Sequence, residues 1–182
     1  MTPYRVLVAV ASRHGATREI AEALARDLTA NPAARGVDLH ASVVPVEHHP
    51  DPHHYDAVVL GSAVYGGSWL PGARQFATGS AAALRTRSLW LFSSGPIGKP
   101  PFPEAEPNEA ATMTAMLHPR GSRVLPGRLD PALLTFAERA VVTAMRAPVG
   151  DARDWRQIRA WADEIAAALA GESAPVMPAT PG

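Results

Sequence analysis

Short apolar runs alternate with helical patterns along this chain, and this alternation limits the possible folds more than any other feature. The runs Tyr4–Val10, Ala57–Leu60 and Leu89–Phe92 are almost wholly apolar and are bounded by polar or glycine residues. Such runs are typical of strands that are buried on both faces of a parallel sheet. Val37–Val44 alternates, which predicts a more exposed strand, and Arg123–Leu125 predicts a brief fifth one.

Helical patterns separate these strands. The first has its apolar residues at the spacing of one helix face and ends at Asn31–Pro32. Another is predicted to begin at Pro71, and a third at Asp130–Pro131, where Asp130 is the N-cap, running through Val142. Further helices are predicted over Glu109–Leu117 and Trp155–Leu169, with Trp155 and Trp161 at core positions. This order predicts an α/β fold, a doubly wound open parallel sheet of order 2-1-3-4-5 with helices on both faces.

Length and composition indicate one domain, over residues 1–170, followed by a Pro/Ala-rich tail over 171–182 that is expected to be disordered. The 17 basic and 17 acidic residues cancel, so the net charge does not favour nucleic acid or an anionic membrane surface as a partner. The chain has no cysteine, which excludes disulfides and thiolate metal sites. No apolar run has the length of a membrane span, and the start has no leader pattern, so a cytoplasmic location is expected.

The loop after the first strand is a candidate anion site. A helix N-terminus offers unpaired backbone N–H groups and a partial positive charge, and a glycine lets the backbone approach the anion. Hydroxyl donors flank that glycine here. The alternative is that these hydroxyls only cap the helix. The candidate residues are Ser12, Arg13, His14, Gly15, Ala16 and Thr17, and we expect an anion to favour the charged form of His14.

Two more loops should lie at the same sheet edge, because the carboxyl ends of parallel strands meet there. Gly61 is expected to end the third strand, and the loop after it carries an aromatic residue among glycines. The loop after the fourth strand is rich in small hydroxyl residues and glycine, so it exposes backbone amides. The candidates in the third-strand loop are Ser62, Ala63, Val64, Tyr65, Gly66 and Gly67. Those in the fourth-strand loop are Ser93, Ser94, Gly95, Pro96, Ile97 and Gly98.

The first loop resembles the phosphate loop of flavodoxins, [ST]-x-T-G-x-T, with Ser12, Gly15 and Thr17 in matching places and His14 where the family has threonine. The string SRHGATREIAEAL is similar to the flavodoxin-like protoporphyrinogen oxidases of bacteria. GRLDP and GDARDW further along resemble flavodoxin-domain proteins of actinobacteria. The likeness extends from Val6 to about Leu169 and implies the flavodoxin-like fold, with FMN as cofactor. It also implies that FMN lies across the three loops and that Tyr65, or Trp69 in its place, stacks on the ring.

The same resemblance implies an FMN-dependent oxidoreductase that passes electrons to a quinone or another redox acceptor. An electron carrier that serves a redox protein is the first alternative, although carrier flavodoxins are usually strongly acidic. A signalling receiver is the second. It needs an aspartate at the end of the third strand, whereas Asp56 lies at the other end. A homodimer remains open.

Other suggestive residues have simpler interpretations. The histidines before the third strand lie in a proline-containing loop that favours a solvated surface over a metal site. They are His48, His49, His53 and His54. Asp151 and Asp154 are expected to cap and support the last helix rather than to act as an acid–base pair.

Overall fold

A five-stranded parallel sheet forms the centre of the fold. In the computed structural model of the chain, residues 3–95 and 108–173 are described. The strands lie in the order β2-β1-β3-β5-β6, and each neighbouring pair is parallel. This confirms the predicted order, since β5 and β6 are the fourth and fifth predicted strands. The strands are β1 (Tyr4–Ala11), β2 (Leu39–Pro45), β3 (Ala57–Tyr65), β4 (Ser68–Trp69), β5 (Ser88–Ser94), β6 (Gly121–Leu125), β7 (Arg128–Leu129) and β8 (Gly150–Asp151).

Helices cover both faces of the sheet, as the almost wholly apolar β1 requires. Because side chains alternate along a strand, Val6, Val8 and Val10 pack against α1 and α6, whereas Leu7 and Ala9 pack against the helices of the other face. Each face therefore has its own buried layer. The helices are α1 (Ala16–Ala30), α2 (Pro71–Gly79), α3 (Ala81–Arg85), α4 (Asn108–Leu117), α5 (Phe136–Ala144) and α6 (Trp155–Ser173).

The third strand does not end at Gly61, as we expected, but continues to Tyr65. Gly61 pairs with Val10 on one side and with Phe92 on the other, and the Phe92 ring lies where a side chain at 61 would be. A Cβ atom built on Gly61 would come within 2.0 Å of that ring. Gly61 therefore makes room for a buried aromatic ring, which in turn meets Trp161 edge-on at 6.0 Å.

The turn that follows β3 lies at Gly66–Gly67. Both residues have positive φ, 58° and 79°, which suits a two-residue hairpin turn and favours glycine. The turn pairs Tyr65 with Ser68, so β4 returns antiparallel to β3. The predicted loop after the third strand is thus a short hairpin that projects Tyr65 beyond the sheet.

The chain between β6 and α6 differs from the single predicted helix. Asp130 caps only a short 3₁₀ turn, Pro131–Leu133, and Leu134 is then extended. A new N-cap follows at Thr135. Its hydroxyl accepts from the Glu138 N–H while the Glu138 carboxylate accepts from the Thr135 N–H, a capping box that begins α5. β7 and β8 pair antiparallel on either side of this segment, so its two ends meet. We call residues 130–149 the excursion.

The last helix begins as predicted. The Asp154 carboxylate accepts hydrogen bonds from the backbone N–H groups of Arg156 and Gln157, and Trp161 is buried. Trp155 was expected in the core, but it is 44% exposed, and the Arg153 guanidinium lies 4.6 Å from its ring centre. The predicted tail falls largely on residues 174–182, outside the described part of the chain. Within that described part, no helix is both long and apolar enough to cross a membrane.

Candidate functional site

A cavity of about 70 Å³ lies at the carboxyl edge of the sheet. Its walls come from the segment after β1, the last residues of β3, the end of β5 with Gly95, and the segment after β6. Residues from all three predicted loops therefore line one cavity, and a fourth segment joins them. The cavity has an aromatic wall at Tyr65 and a cationic one at Arg13 and Arg128. Its lining is Ser12, Arg13, His14, Ala16, Thr17, Ala63, Val64, Tyr65, Ser94, Gly95, Gly127, Arg128 and Leu129.

The start of α1 has the features of an anion site. Gly15 is the N-cap, at φ 85°, and no side chain within the described residues caps this helix. The first-turn N–H groups therefore keep their hydrogen-bonding capacity for a ligand. The Ser12 hydroxyl is buried and has no hydrogen-bond partner among the described residues, and Thr17 is buried beside it. In the alternative interpretation Ser12 and Thr17 cap the helix, but neither side chain makes a capping hydrogen bond here.

Charged and aromatic side chains surround this helix start. The Arg13 guanidinium lies 5.5 Å from the Tyr65 ring centre, and the His14 ring meets Tyr65 edge-on at 6.3 Å. Both side chains also contact a carboxylate from the excursion: Glu138 lies 2.9 Å from Arg13 Nε and 3.4 Å from His14 Nε2. Burial, followed by the Glu138 charge, raises the pKa of Tyr65, so the phenol is neutral at ordinary pH. Hydrogen bonding to Thr135, chiefly through its backbone N–H, lowers the pKa of Glu138, which is therefore a carboxylate.

Arg153 joins β8, which follows the excursion, to the first turn of α1. Its side chain is 3% exposed. It donates to both Asp151 oxygens, at 2.8 and 2.7 Å, and to Glu19 at 2.6 Å. Arg128 reaches the same Glu19 carboxylate at 3.1 Å. The Arg153 hydrogen bonds are the main reason why the pKa values of Glu19 and Asp151 are lowered. This network fixes the first turn of α1 relative to β7 and β8.

The predicted site residues do not all face the cavity. The buried Ser62 hydroxyl donates to the Ala63 carbonyl and accepts from the Leu70 N–H. The Ser93 hydroxyl accepts from the indole N–H of Trp69, at 2.8 Å. Trp69 is therefore a core residue and is not available to stack on a ligand. Gly15 forms the helix start, Gly66 and Gly67 form the hairpin turn, and Pro96, Ile97 and Gly98 lie outside the described residues.

Sequence reasoning missed the fourth wall. Gly127, Arg128 and Leu129 follow β6, and the rule that strand carboxyl ends share one edge would have included them. It also missed Glu138, although Thr135 followed three residues later by glutamate is a recognisable capping box.

The four histidines before β3 do not form a binding site comparable to the cavity. All four histidines before β3 are exposed, and His53 contacts Asp51 at 2.9 Å. Among residues 3–95 and 108–173, no group of three or more His, Asp or Glu side chains is placed to hold a metal ion. A wider groove, of about 610 Å³, lies between the turn after β2 and α2. It shares no lining residue with the first cavity.

Comparison with known proteins agrees with this architecture. Rubredoxin:oxygen oxidoreductase of Desulfovibrio gigas is similar in structure (TM-score 0.60, 14% identity), with 94% of this chain but only 38% of that chain covered. Oxidised flavodoxin 1 of Bacillus cereus is similar over 88% of this chain and 95% of that one (TM-score 0.52, 13% identity). An archaeal flavodoxin is similar over 92% and 99% (TM-score 0.54, 15% identity).

At these identities the solved structures show a shared fold and no more. No curated protein matches the chain significantly. The family is shown by sequence: residues 7–155 match the model of the flavodoxin domain family. This chain therefore belongs to the flavodoxin domain family.

Proposed function

We propose that this chain binds FMN at the carboxyl edge of its sheet. The observation that carries the proposal is the Ser12 hydroxyl, which is buried at the start of α1 with no partner in the described part of the chain. A buried polar atom of this kind needs a hydrogen-bond partner, and a phosphate oxygen would supply one. The uncapped N-terminus of α1 and the guanidinium of Arg128 favour a negative group at the same place.

Tyr65 is the residue that would face the flavin ring. It stands at the tip of the β3–β4 hairpin, 37% exposed, next to the cavity wall. A cavity of about 70 Å³ is much smaller than the roughly 300–1,000 Å³ of typical ligand pockets. It suits the phosphate end, so the ring would extend outward along Tyr65. When bound, FMN supplies the redox chemistry, and the protein provides binding, orientation and access.

The proposed reaction is a quinone-linked dehydrogenation, as in the protoporphyrinogen oxidases that the sequence resembles. Its support is the likeness around Ser12–Leu24 and the zero net charge, which does not suit an acidic electron carrier. The chain spans only 38% of the Desulfovibrio oxidoreductase, so the activity of that protein is not carried over.

The first test is the visible spectrum of the purified protein, with and without added FMN. Flavin absorption that stays with the protein through gel filtration is expected. Anaerobic turnover of protoporphyrinogen with menaquinone comes next. Protein that takes up FMN but transfers electrons only to a redox protein would contradict the dehydrogenase and favour the carrier. Protein that takes up no FMN at micromolar concentration would remove the redox function altogether.

The Ser12→Ala variant is expected to weaken FMN binding about tenfold, because it removes one hydrogen bond to a charged group. Riboflavin has no phosphate, so its affinity should not change. The free energy of unfolding should not fall, since the hydroxyl has no partner in the described chain to lose. Fluorescence titration with both flavins measures this, with Ser122→Ala, an exposed serine of β6, as the matched control. Equal losses for FMN and riboflavin would contradict a phosphate contact at Ser12.

The Glu138→Gln variant is expected to bind FMN more tightly, by roughly fivefold, because Glu138 repels a phosphate at the start of α1. The same carboxylate also holds Arg13 and His14. Glutamine retains the capping box, so α5 keeps its start. Glu22→Gln makes the same change of charge on α1, where Glu22 pairs with Arg18, and serves as the control. Weaker FMN binding in Glu138→Gln, with riboflavin unaffected, would show that Glu138 supports the phosphate site rather than opposing it.

A further inference from the structure

The exposed apolar side chains of this protein are concentrated in one neighbourhood. Among the described residues, every large apolar side chain that is exposed lies between positions 133 and 155, with the exception of Tyr65. Tyr65 is close to the same region, because its ring contacts Arg13 and His14, and both of these contact Glu138 of α5. The others are Leu133 (46%), Phe136 (84%), Val141 (56%), Met145 (56%), Val149 (60%) and Trp155 (44%).

The helix α5 carries this surface without contributing to the core. None of its residues is buried, although its first residue is Phe136. Val141 and Met145 are four positions apart, so their side chains lie on the same side of this segment, one turn from each other. Such a concentration of exposed apolar groups marks a surface that contacts a partner.

The area of this surface is sufficient for a stable dimer. The exposed fractions of the six side chains between positions 133 and 155 correspond to about 700 Å², given that a large aromatic side chain has roughly 150–250 Å². A standard interface buries roughly 800 Å² on each partner, of which about 65% is apolar in homodimers. The apolar area that one copy offers is therefore as large as such an interface requires.

The charges around these side chains are balanced and include both signs. Arg139 and Arg146 are exposed and have no carboxylate within 4.0 Å among the described residues. Asp130 and Asp154 are exposed as well, and their carboxylates accept hydrogen bonds only from backbone N–H groups. A surface of this kind has no preference for a partner of a single charge. It suits a partner that offers apolar side chains together with both charges.

We infer that this chain forms a two-fold symmetric homodimer through residues 130–155. The same surface on a second copy has the required composition, because it carries the same apolar side chains, two free arginines and two free carboxylates. In a two-fold interface each contact occurs twice, so an arginine of one copy that meets an aspartate of the other is matched by the reciprocal pair. Zero net charge over the whole chain also means that two copies do not repel each other strongly.

A dimer of this kind brings the second copy next to the cavity. Glu138 lies on α5 and contacts Arg13 and His14, which line that cavity. Tyr65 is 37% exposed at its mouth. A flavin ring that extends outward along Tyr65 would then be shielded from water by the partner subunit. This consequence rests on the proposed function, whereas the dimer itself does not require FMN.

Sedimentation velocity of the full chain, at about 1–100 μM without added flavin, tests the inference through the concentration dependence of association. We expect a dimer. Phe136→Ser with Met145→Ser should weaken self-association at least tenfold, because two exposed apolar groups are lost from the interface. Phe136→Leu with Met145→Leu is the matched control. It keeps the apolar character and should associate within about threefold of the wild type.

A second pair of variants tests the balance of charge. Arg139→Glu with Arg146→Glu should weaken self-association at least tenfold, since it leaves the surface with one sign. Arg18→Glu with Arg26→Glu changes the net charge equally on α1 and should have little effect. An equal loss in this control would contradict the inference, because association would then depend on net charge rather than on the excursion.

Circular dichroism shows whether the variants remain folded, as expected for exposed positions. The thermal midpoint of the wild type should rise with protein concentration, and that of Phe136→Ser with Met145→Ser should not. Folded wild-type protein that stays monomeric at the highest concentration would overturn the inference and assign the surface to a different partner. A dimer that the serine variant leaves unchanged would also overturn it, because the interface would lie elsewhere. Since none of these measurements involves flavin, their failure is separate from failure of the FMN proposal.

Discussion

Gly61→Ala is expected to destabilise the protein by roughly 3 kcal/mol, at the upper end of the cost of overpacking a core. The new Cβ would lie 2.0 Å from the Phe92 ring, which is fully buried and has Trp161 beside it. In a close-packed core the ring cannot move without disturbing its neighbours. It must therefore either displace those neighbours or push β3 and β5 apart. Urea unfolding followed by circular dichroism measures the change, and Gly61→Val should leave little folded protein.

A double-mutant cycle shows whether the contact with Phe92 is the cause. Phe92→Leu costs stability by itself, but the Gly61→Ala change should cost about 1–2 kcal/mol less in that background than in the wild type. Gly79→Ala is the matched control. No atom outside its own segment lies within 4 Å of the added Cβ, so this exposed position at the end of α2 should be neutral or slightly stabilised. Additive costs for Gly61→Ala and Phe92→Leu would contradict this explanation.

Arg153→Met is expected to lower the free energy of unfolding by about 2 kcal/mol. This is less than the roughly 3–5 kcal/mol of breaking a fully buried ion pair, because water reaches Asp151 and Glu19. The variant leaves Asp151 without its bidentate partner, while Glu19 keeps Arg128. The first turn of α1 then loses its tie to β8, so FMN affinity should fall at least tenfold. Arg156→Met, at an exposed position of α6, should change neither quantity appreciably.

The Arg153 prediction includes a pH dependence. Arg153 lowers the pKa values of Glu19 and Asp151 in the folded state, so its contribution to stability is present above their ordinary pKa values and is lost as pH falls through the lowered ones. The stability difference between the wild type and Arg153→Met should therefore be largest near neutral pH. It should shrink steadily below about pH 4, in the range where carboxylates of this kind protonate. A difference that stays constant down to pH 3 would show that packing, rather than charge, is responsible.

The sheet could be predicted from the sequence because its strands are buried on both faces. A run as apolar as Val6–Val10 must be buried on both faces to avoid water. The apolar stripe around Leu24 is typical of a helix that packs on one face. The end of the third strand could not be predicted in this way. Gly61 is a turn residue by local preference, and only the distant Phe92 ring explains why the strand passes through it.

The candidate site could be predicted for residues that lie at strand ends. It could not be predicted for serines whose hydroxyls are hydrogen-bonded inside the protein. Ser12, which follows β1, and Tyr65 and Ser94, which end β3 and β5, line one cavity because these parallel strands end at one edge. Ser62 and Ser93 precede that edge, and their hydroxyls are used inside the protein. Whether a hydroxyl faces a ligand or the core depends on strand register, which composition does not reveal.

The pairing of β7 with β8 has a consequence for how such a protein can diversify. Since residues 130–149 begin and end at one point and α5 adds nothing to the buried layers, the segment can be exchanged as a cassette while the sheet and its helices stay intact. Natural variation in length or polarity between Asp130 and Val149 would alter the surface next to Arg13 and His14, which Glu138 contacts, without disturbing how the sheet folds. Selection can therefore act on the two properties separately.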